Sequence, residues 1–290
     1  MEYANPDALV STEWLAEHLA DPDLRIVDAT WFPESAGRIA DIEYEIRHIP
    51  GALYLDSEEL CGTEPFGHIL PDADRFAETV GALGIGNHHR IVVYDASGGW
   101  LVGAWAWWLF RVFGHENVAL LDGGLLRWMR EKRPMGDEPP TPRPCPFLPH
   151  PNPALVRNVE QMLSNLDSRR EQVIDVRNAE RFSGAMSDAY NDNPAKLGHI
   201  PGSVNVLHTD LMDEKDDHVM VPADRAARVL ADAGLDLKRP IVTYCGTGIV
   251  AAVVNLALFM LGHTDNAIYD QSFAEWGNRA DTPVEIRAGG

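Results

Sequence analysis

The 290-residue chain carries one pattern twice, and the order of the repeated fragments constrains its fold more than any other feature. Val173-Ile174-Asp175-Val176 repeats Ile26-Val27-Asp28-Ala29, and Gly198-His199-Ile200-Pro201-Gly202-Ser203 repeats Arg47-His48-Ile49-Pro50-Gly51-Ala52. Further on, Pro222-Ala223-Asp224-Arg225 repeats Pro71-Asp72-Ala73-Asp74, and Ile241-Val242-Thr243-Tyr244-Cys245 repeats Ile91-Val92-Val93-Tyr94-Asp95. Leu261-Gly262-His263 answers Phe113-Gly114-His115, and Tyr269-Asp270 with Trp276 answers Leu121-Asp122 with Trp128. Within each copy, short apolar runs alternate with segments of helical period, for example 74–83, 100–113 and 159–165. This alternation predicts an α/β fold: two tandem domains, each a largely parallel sheet covered by helices on both faces.

Nine prolines between Pro134 and Pro153 separate the copies. No helix or central strand tolerates that density, so an extended, stiff connection is expected there. The expected organisation is an N-terminal domain over 1–134, a Pro-rich linker over 135–153 and a C-terminal domain over 154–290.

The copies differ where an apolar strand runs into a glycine loop and then an apolar helix. The second copy reads Tyr244-Cys245-Gly246-Thr247-Gly248-Ile249-Val250-Ala251, and the first has Asp95 in place of the cysteine. Unpaired N–H groups of the loop and the first helical turn should converge on the sulfur and favour its thiolate, with Gly246 and Gly248 supplying positive φ. Such a cradle also suits a small anionic substrate. A phosphatase loop is excluded, because it needs Arg six residues after the cysteine and usually His before it. Ala251 and Tyr244 stand there.

Three cysteines, Cys61, Cys145 and Cys245, are widely spaced with no C-x-x-C pair, which suggests a reducing compartment and neither a disulfide framework nor a zinc site. A formal charge of −20 argues against nucleic acid or an anionic membrane surface as partner. The N-terminal residues show no basic-then-apolar leader, and the longest apolar segments are too short to span a bilayer. A cytoplasmic protein without metal or cofactor is the expectation.

With the repeat, the two His-Ile-Pro-Gly turns and the cysteine loop, the chain resembles the tandem-domain rhodanese family of sulfurtransferases. Its loop is similar to the CG[S/T]GVTA loop of the 3-mercaptopyruvate branch. The resemblance runs from about Val10 to Arg279 and includes Tyr94-Asp95-Ala96-Ser97 and Tyr269-Asp270-Gln271-Ser272-Phe273. It implies an inactive N-terminal domain and a catalytic C-terminal one, with the active site between them. It also implies that Cys245 takes sulfur from 3-mercaptopyruvate as a persulfide, releases pyruvate, and passes the sulfur to a thiol such as thioredoxin or to cyanide.

The same resemblance assigns roles to particular residues. Gly246, Thr247, Gly248, Ile249 and Val250 would hold the sulfur and substrate. Thr247 would relay a proton with His68 and a carboxylate that maps to Glu58, with Asp56 as the alternative. Arg181 matches the arginine that binds the donor carboxylate. The family's second arginine falls in the segment 185–196, where this chain has none, so Lys196 or Tyr190 is expected to stand in. The loop also lacks the Arg or Lys usual in thiosulfate-specific relatives, which favours a monocarboxylate donor. Thiosulfate, another sulfur donor, or a non-catalytic rhodanese-like binding module remain the alternatives.

His48 and His199 occur in both copies and read as turn-holding residues. Asp28, Asp175, Asp122 and Asp270 read as loop-orienting residues, with Asp175 holding Arg177 or Arg181. Trp105, Trp107 and Trp108 read as core and interface aromatics.

Overall fold

Two five-stranded sheets of the same strand order make up the protein, seen here in a computed structural model. It describes every residue except 62–67, 99–100, 188, 191–192, 195 and 287–290, and only the backbone of 189, 190, 193 and 194. In the first sheet the strands run in the order Leu9–Val10, Val118–Leu121, Arg90–Tyr94, Leu24–Asp28, Leu53–Tyr54, all parallel. The second sheet repeats this as Val156–Arg157, Asn266–Tyr269, Ile241–Tyr244, Gln172–Asp175, Val204–Asn205, again all parallel. In both, the central strand is the one that ends at Asp95 or Cys245, so this residue emerges at the carboxyl edge of the sheet. Ligands of open α/β sheets bind at that edge.

Alternation along the central strands explains the cores. Val92 and Tyr94 face an outer core with Leu15 and Trp128, while Ile91 and Val93 face the opposite side. Likewise Val242 and Tyr244 pack with Met162 and Trp276, and Ile241 turns the other way. The inner sides of both domains merge into one core, built around the helices Leu101–Val112 and Ala251–Met260. Each follows its sheet's central strand, each is apolar nearly all round, and they pack against each other. A helix without a polar face has to be buried on every side, and here the equivalent helix of the other copy covers it. Trp107 meets Phe259 across this seam at 5.5 Å, and Trp105, Trp107 and Trp108 are all buried.

Two reciprocal hydrogen bonds cross the same seam. Asp122 Oδ1 accepts from the Met220 N–H at 3.0 Å, and Asp270 Oδ2 accepts from the Leu70 N–H at 3.1 Å. These strand-end aspartates therefore join the domains, beyond the loop-orienting part that the sequence suggested.

The proline-rich segment is extended, as its composition dictates, but it is bonded to the first domain along its length. Gly136 exchanges two main-chain bonds with His48. Cys145 N–H donates to Gly81 O at 2.9 Å, Leu148 pairs with the Asn87 amide, and His150 N–H donates to Phe113 O at 2.9 Å. Gly84 and Gly114 have φ of +78° and +83°, and a Cβ there would lie 2.6 and 2.5 Å from the carbonyls of Arg143 and His150. Glycine lets this strap lie flat.

The segment 37–47 contains a helix, Ala40–Ile46, that its sequence does not announce. Ile39, Ile42 and Ile46 are exposed, so the segment lacks the buried apolar stripe by which a helix is recognised. No described helix is long and apolar enough to cross a membrane.

Burial pushes the carboxyls of Asp122 and Asp270 up to about 6, against the opposing pull of the N–H groups they accept from. Between about pH 4 and 6 the folded protein keeps protons that the unfolded chain has released, so this contribution to stability falls as pH rises through that window. Asp122→Asn and Asp270→Asn keep an acceptor oxygen without the buried charge. Each is expected to raise Tm at about pH 8, with the gain fading towards about pH 4. A lower Tm at pH 8 would instead make the charge itself the stabilising element.

Candidate active site

Strand Ile241–Tyr244 is buried throughout and delivers Cys245 to the sheet edge, where the sulfur-bearing residue is 3% exposed. The main-chain N–H groups of Ala251, Thr247, Gly248 and Val250 bond to the sulfur. Gly248 makes this possible: its φ is +90°, and a Cβ would lie 2.2 Å from the Asp270 carbonyl. Gly246 has no positive φ, contrary to expectation, so the loop turns on one glycine. Its carbonyl instead accepts from Ala274 N–H at 2.8 Å, and that of Cys245 from Phe273 N–H at 3.1 Å, which ties the loop to helix Ser272–Trp276.

The expected preformed thiolate is not what this cradle produces. Burial pushes the Cys245 thiol above its ordinary range, and the four N–H groups oppose that without overcoming it. Desolvation penalises the charged form of any group sealed from water. The N–H array therefore holds an anion once one is formed, and forming it requires a proton acceptor.

The first domain displays the same cradle with an anion built in. Asp95 Oδ1 accepts from Ser97 N–H at 2.9 Å and Ser97 Oγ–H at 2.6 Å. Its Oδ2 accepts from Val102 and Gly103 N–H at 3.1 and 2.7 Å. A carboxylate thus occupies the place of the sulfur and uses the donors that an external anion would need.

Ser272 is a site residue that the sequence reading passed over. It is fully buried with φ of +52°, its Oγ accepts from Cys245 N–H at 3.2 Å, and its hydroxyl donates to Tyr269 O at 2.8 Å. The first copy has Gly124 there, at φ +56°. A serine in the left-handed region costs on the order of 1 kcal/mol or more, and its bond to the cysteine's own N–H offsets that strain. The signal was available: a serine stands where the sister copy uses a glycine.

Behind the cysteine lies a locked network. Tyr244 O–H donates to Asp175 Oδ2 at 2.6 Å, and the Arg177 guanidinium, 4% exposed, pairs with the same carboxylate at 2.6 Å. Arg177 also stacks on Phe273 at 3.6 Å and donates to Gly198 O at 2.8 Å. Asp175 holds Arg177, therefore, and Arg177 orients the strand end. Arg181 lies one turn further on, half-buried in helix Ala179–Ser183, which Asn178 caps through the Arg181 main-chain N–H at 3.0 Å. His48 and His199 donate through Nδ1 to Tyr44 O and Phe182 O at 2.7 and 2.8 Å and stack on those rings, which is the turn-holding role read from their duplication.

His68 comes from the first domain. It is 5% exposed, set edge-on to Trp31 at 4.6 Å, and its segment is tied to the second domain by the Leu70–Asp270 bond. Burial drives its pKa down to about 4, against the raising influence of Glu58 and Asp56. Neither carboxylate bonds to it. Its Nε2 is hydrogen-bonded to Ser57 Oγ at 3.2 Å, whereas Glu58 accepts from Trp31 Nε1 at 2.8 Å and Asp56 caps the Glu58 and Glu59 N–H groups at 2.9 Å. The expected carboxylate partner is thus replaced by Ser57, because Asp56 serves the helix start and the longer Glu58 reaches the indole. Trp31 bridges Glu58 and His68.

Lys196 does not stand in for a second arginine. Its ammonium donates to the carbonyls of Arg279 and Thr282 and to the Thr282 hydroxyl, the last at 3.2 Å, and so fastens the C-terminal segment. The Tyr190 side chain lies outside the described residues. Cys61 is half-buried, and burial and the Asp270 charge raise its thiol far above the reactive range. Among the described residues no cluster of three or more His, Cys, Asp or Glu is placed to hold a metal ion.

Comparison with known proteins agrees with this geometry. The rhodanese-like domain family model matches twice, over residues 11–131 and 158–279. Human 3-mercaptopyruvate sulfurtransferase is 39% identical over 279 residues, covering 94% of this chain and 93% of that protein. Mouse thiosulfate sulfurtransferase is 38% identical over 288 residues, covering 97% and 96%. The crystal structure of SseA from Escherichia coli, described as a 3-mercaptopyruvate sulfotransferase, superposes with a TM-score of 0.82 at 33% identity over 91% of this chain and 98% of that one.

Alkylation of Cys245 by iodoacetamide should accelerate steadily from about pH 6 to 9 with no plateau, since burial holds the thiol protonated. A plateau near pH 7 would reveal a thiolate already formed. Gly248→Ala should slow persulfide formation by about 100-fold or more, on the scale of losing an anion-hole donor. An unchanged rate would show that the loop keeps its N–H array without that glycine.

Proposed function

The chain belongs to the rhodanese family, and from that membership we propose that it is a sulfurtransferase using 3-mercaptopyruvate as donor and Cys245 as sulfur carrier. The observation that carries the choice of donor is the neutral cradle. Residues 246–251 offer four N–H groups and no cationic side chain to the sulfur, which suits a monocarboxylate better than a thiosulfate dianion. Arg181 is assigned to the donor carboxylate, which a guanidinium holds with two parallel N–H···O bonds.

In the first half-reaction the Cys245 proton passes through the Thr247 hydroxyl to His68, which burial keeps neutral and able to accept. The thiolate then bonds to the mercapto sulfur and the C3–S bond breaks. Its electron pair stays on C3 as the enolate, the mercapto proton moves to C3, and pyruvate leaves. The outer sulfur remains on Cys245 as a persulfide anion in the N–H cradle. In the second half-reaction His68 returns its proton to the persulfide, the thiolate of an acceptor such as thioredoxin attacks the outer sulfur, and the Cys245 thiolate departs. Cyanide takes the same sulfur as thiocyanate. Three unbridged cysteines suit a reducing compartment, and the cytoplasm is our assignment.

Relatives named thiosulfate sulfurtransferase are 38% identical, so thiosulfate is the rival donor. Both donors are to be assayed side by side with cyanide and with a dithiol. The expected result is a higher kcat/KM for 3-mercaptopyruvate, and a higher value for thiosulfate overturns the donor assignment. Mass spectrometry should find one added sulfur on Cys245 after 3-mercaptopyruvate alone and none in Cys245→Ser; absence in both defeats the enzymatic reading. Arg181→Ala is expected to raise KM about 10- to 100-fold with a smaller change in kcat, on the scale of a lost charge-assisted pair.

A further inference from the structure

A groove of about 500 Å³ opens on the first domain. Its apolar walls are Trp31, Phe32 and Tyr54, all half-buried, and Ile39, which is 57% exposed. Ile42 and Ile46 continue this surface along helix Ala40–Ile46, at spacings of three and four residues that put the three isoleucines on one side. Three of the ten large apolar side chains exposed among the described residues thus lie on eight consecutive positions. Packing of the helix does not require them, because Tyr44, its buried residue, points to the other side.

Contacts lead step by step from this groove to the sulfur. Trp31 meets the His68 ring edge-on at 4.6 Å and donates to Glu58, another residue of the groove. Glu58 stands in helix Ser57–Cys61, and the Asp270 carboxylate acts on the thiol at the end of that helix. Asp270 also accepts from Leu70 N–H at 3.1 Å, and its carbonyl packs on Gly248, whose N–H bonds to the Cys245 sulfur. A protein seated on the groove through an interface of ordinary size, about 800 Å² per partner, extends to the rim of the sulfur loop.

The charge of the groove is one-sided. Glu34, Asp41, Asp56 and Glu58 line it. Arg38, the one cation among its lining residues, is held by Glu43 at 2.8 Å and lies 3.8 Å from the Phe32 ring. Glu34, Asp41 and Glu58 are exposed, and Glu58 accepts from Trp31 through one oxygen, so carboxylate oxygens remain for cationic donors. Apolar walls under a charged rim are the form in which a few anchoring side chains of a partner carry most of an interface. Cyanide uses none of this surface.

Given the sulfurtransferase reading above, on which this rests, we propose that the groove and its isoleucine stripe dock the sulfur acceptor, a protein whose reactive cysteine is flanked by apolar side chains and by Lys or Arg. The docked partner's thiolate bonds to the outer sulfur of the Cys245 persulfide as the S–S bond breaks. The sulfur leaves as the partner's persulfide, and Cys245 returns as a thiolate. The groove contributes position alone: it holds that thiol beside the sulfur.

The test uses two synthetic peptides of equal length, each with a single cysteine among leucines, one carrying two lysines and the other two glutamates. Both are assayed as acceptors for the full chain loaded with sulfur from 3-mercaptopyruvate, with cyanide and dithiothreitol as small acceptors. The lysine peptide is expected to exceed the glutamate peptide by about 10-fold or more in kcat/KM, on the scale of one good anchor. Ile39→Ser combined with Ile42→Ser, and separately Asp41→Lys, should remove most of that advantage while leaving transfer to cyanide unchanged. Asp167→Lys, the same charge change on the exposed face of helix Val159–Ser168, should leave the peptide ratio as it is. The proposal is overturned if the peptides serve equally, if the groove variants leave their ratio intact, if Asp167→Lys lowers it as much, or if cyanide transfer falls in step. Sedimentation of the wild type and the isoleucine variant tests the other occupant: a dimer that the substitutions dissociate makes the stripe a contact between copies of this chain and overturns the proposal. Normal transfer to cyanide without a peptide preference defeats the groove alone, whereas no persulfide on Cys245 defeats the sulfurtransferase reading and the groove with it.

Discussion

Main-chain N–H groups converge where each central strand meets its apolar helix, and much of the molecule follows from what occupies that point. In the first copy the occupant is the Asp95 carboxylate, which uses four donors from the loop and helix. In the second it is the Cys245 sulfur, which accepts from four main-chain N–H groups. An N–H cluster without a partner would be expensive in so dry a place, so each copy supplies one. A carboxylate closes the cradle permanently. A sulfur leaves it open to chemistry, because the atom can gain a second sulfur and retain the same donors.

The burial that keeps water from a persulfide also opposes the charge needed to make one. The Cys245 thiol is raised, and His68 is lowered to about 4, for the same reason. Burial keeps the imidazole neutral and the thiol protonated. In the function proposed above, the first takes the proton of the second. Ser57 and Trp31, the latter held by Glu58, set the orientation of this imidazole in the first domain. The reciprocal Asp122 and Asp270 bonds fix that domain against the sulfur loop.

Much of the architecture was legible because the chain repeats itself. A strand, turn or helix start seen in two contexts rarely arises by chance, and the common strand order of the two sheets follows from it. Helix Ala40–Ile46 is not legible in the sequence because its isoleucines face solvent. At the site, Cys245 and its loop could be read from local sequence, since strand, glycine and helix together determine where the N–H groups point. The partners of His68 and Lys196 could not. Whether Glu58 reaches the imidazole or the indole is a matter of side-chain length in three dimensions, and the carbonyls that claim Lys196 lie more than eighty residues away. The repeat also misled in one respect. It made Asp122 and Asp270 look like local turn residues, when their duplication reflects the pseudo-symmetry of an interface.

The proline-rich strap has a consequence for how the halves find each other. A slack tether of similar length would let the second domain roam, and pairing the two apolar helices would carry the full entropy of closing that loop. Here residues 136–150 adhere to the first domain as they leave it. The second domain is therefore launched from a fixed point and in a fixed direction. Because the strap's backbone is already ordered by bonds to one partner, little slack remains for the domains to part, and admission of a donor falls to side chains and loops at the sheet edge.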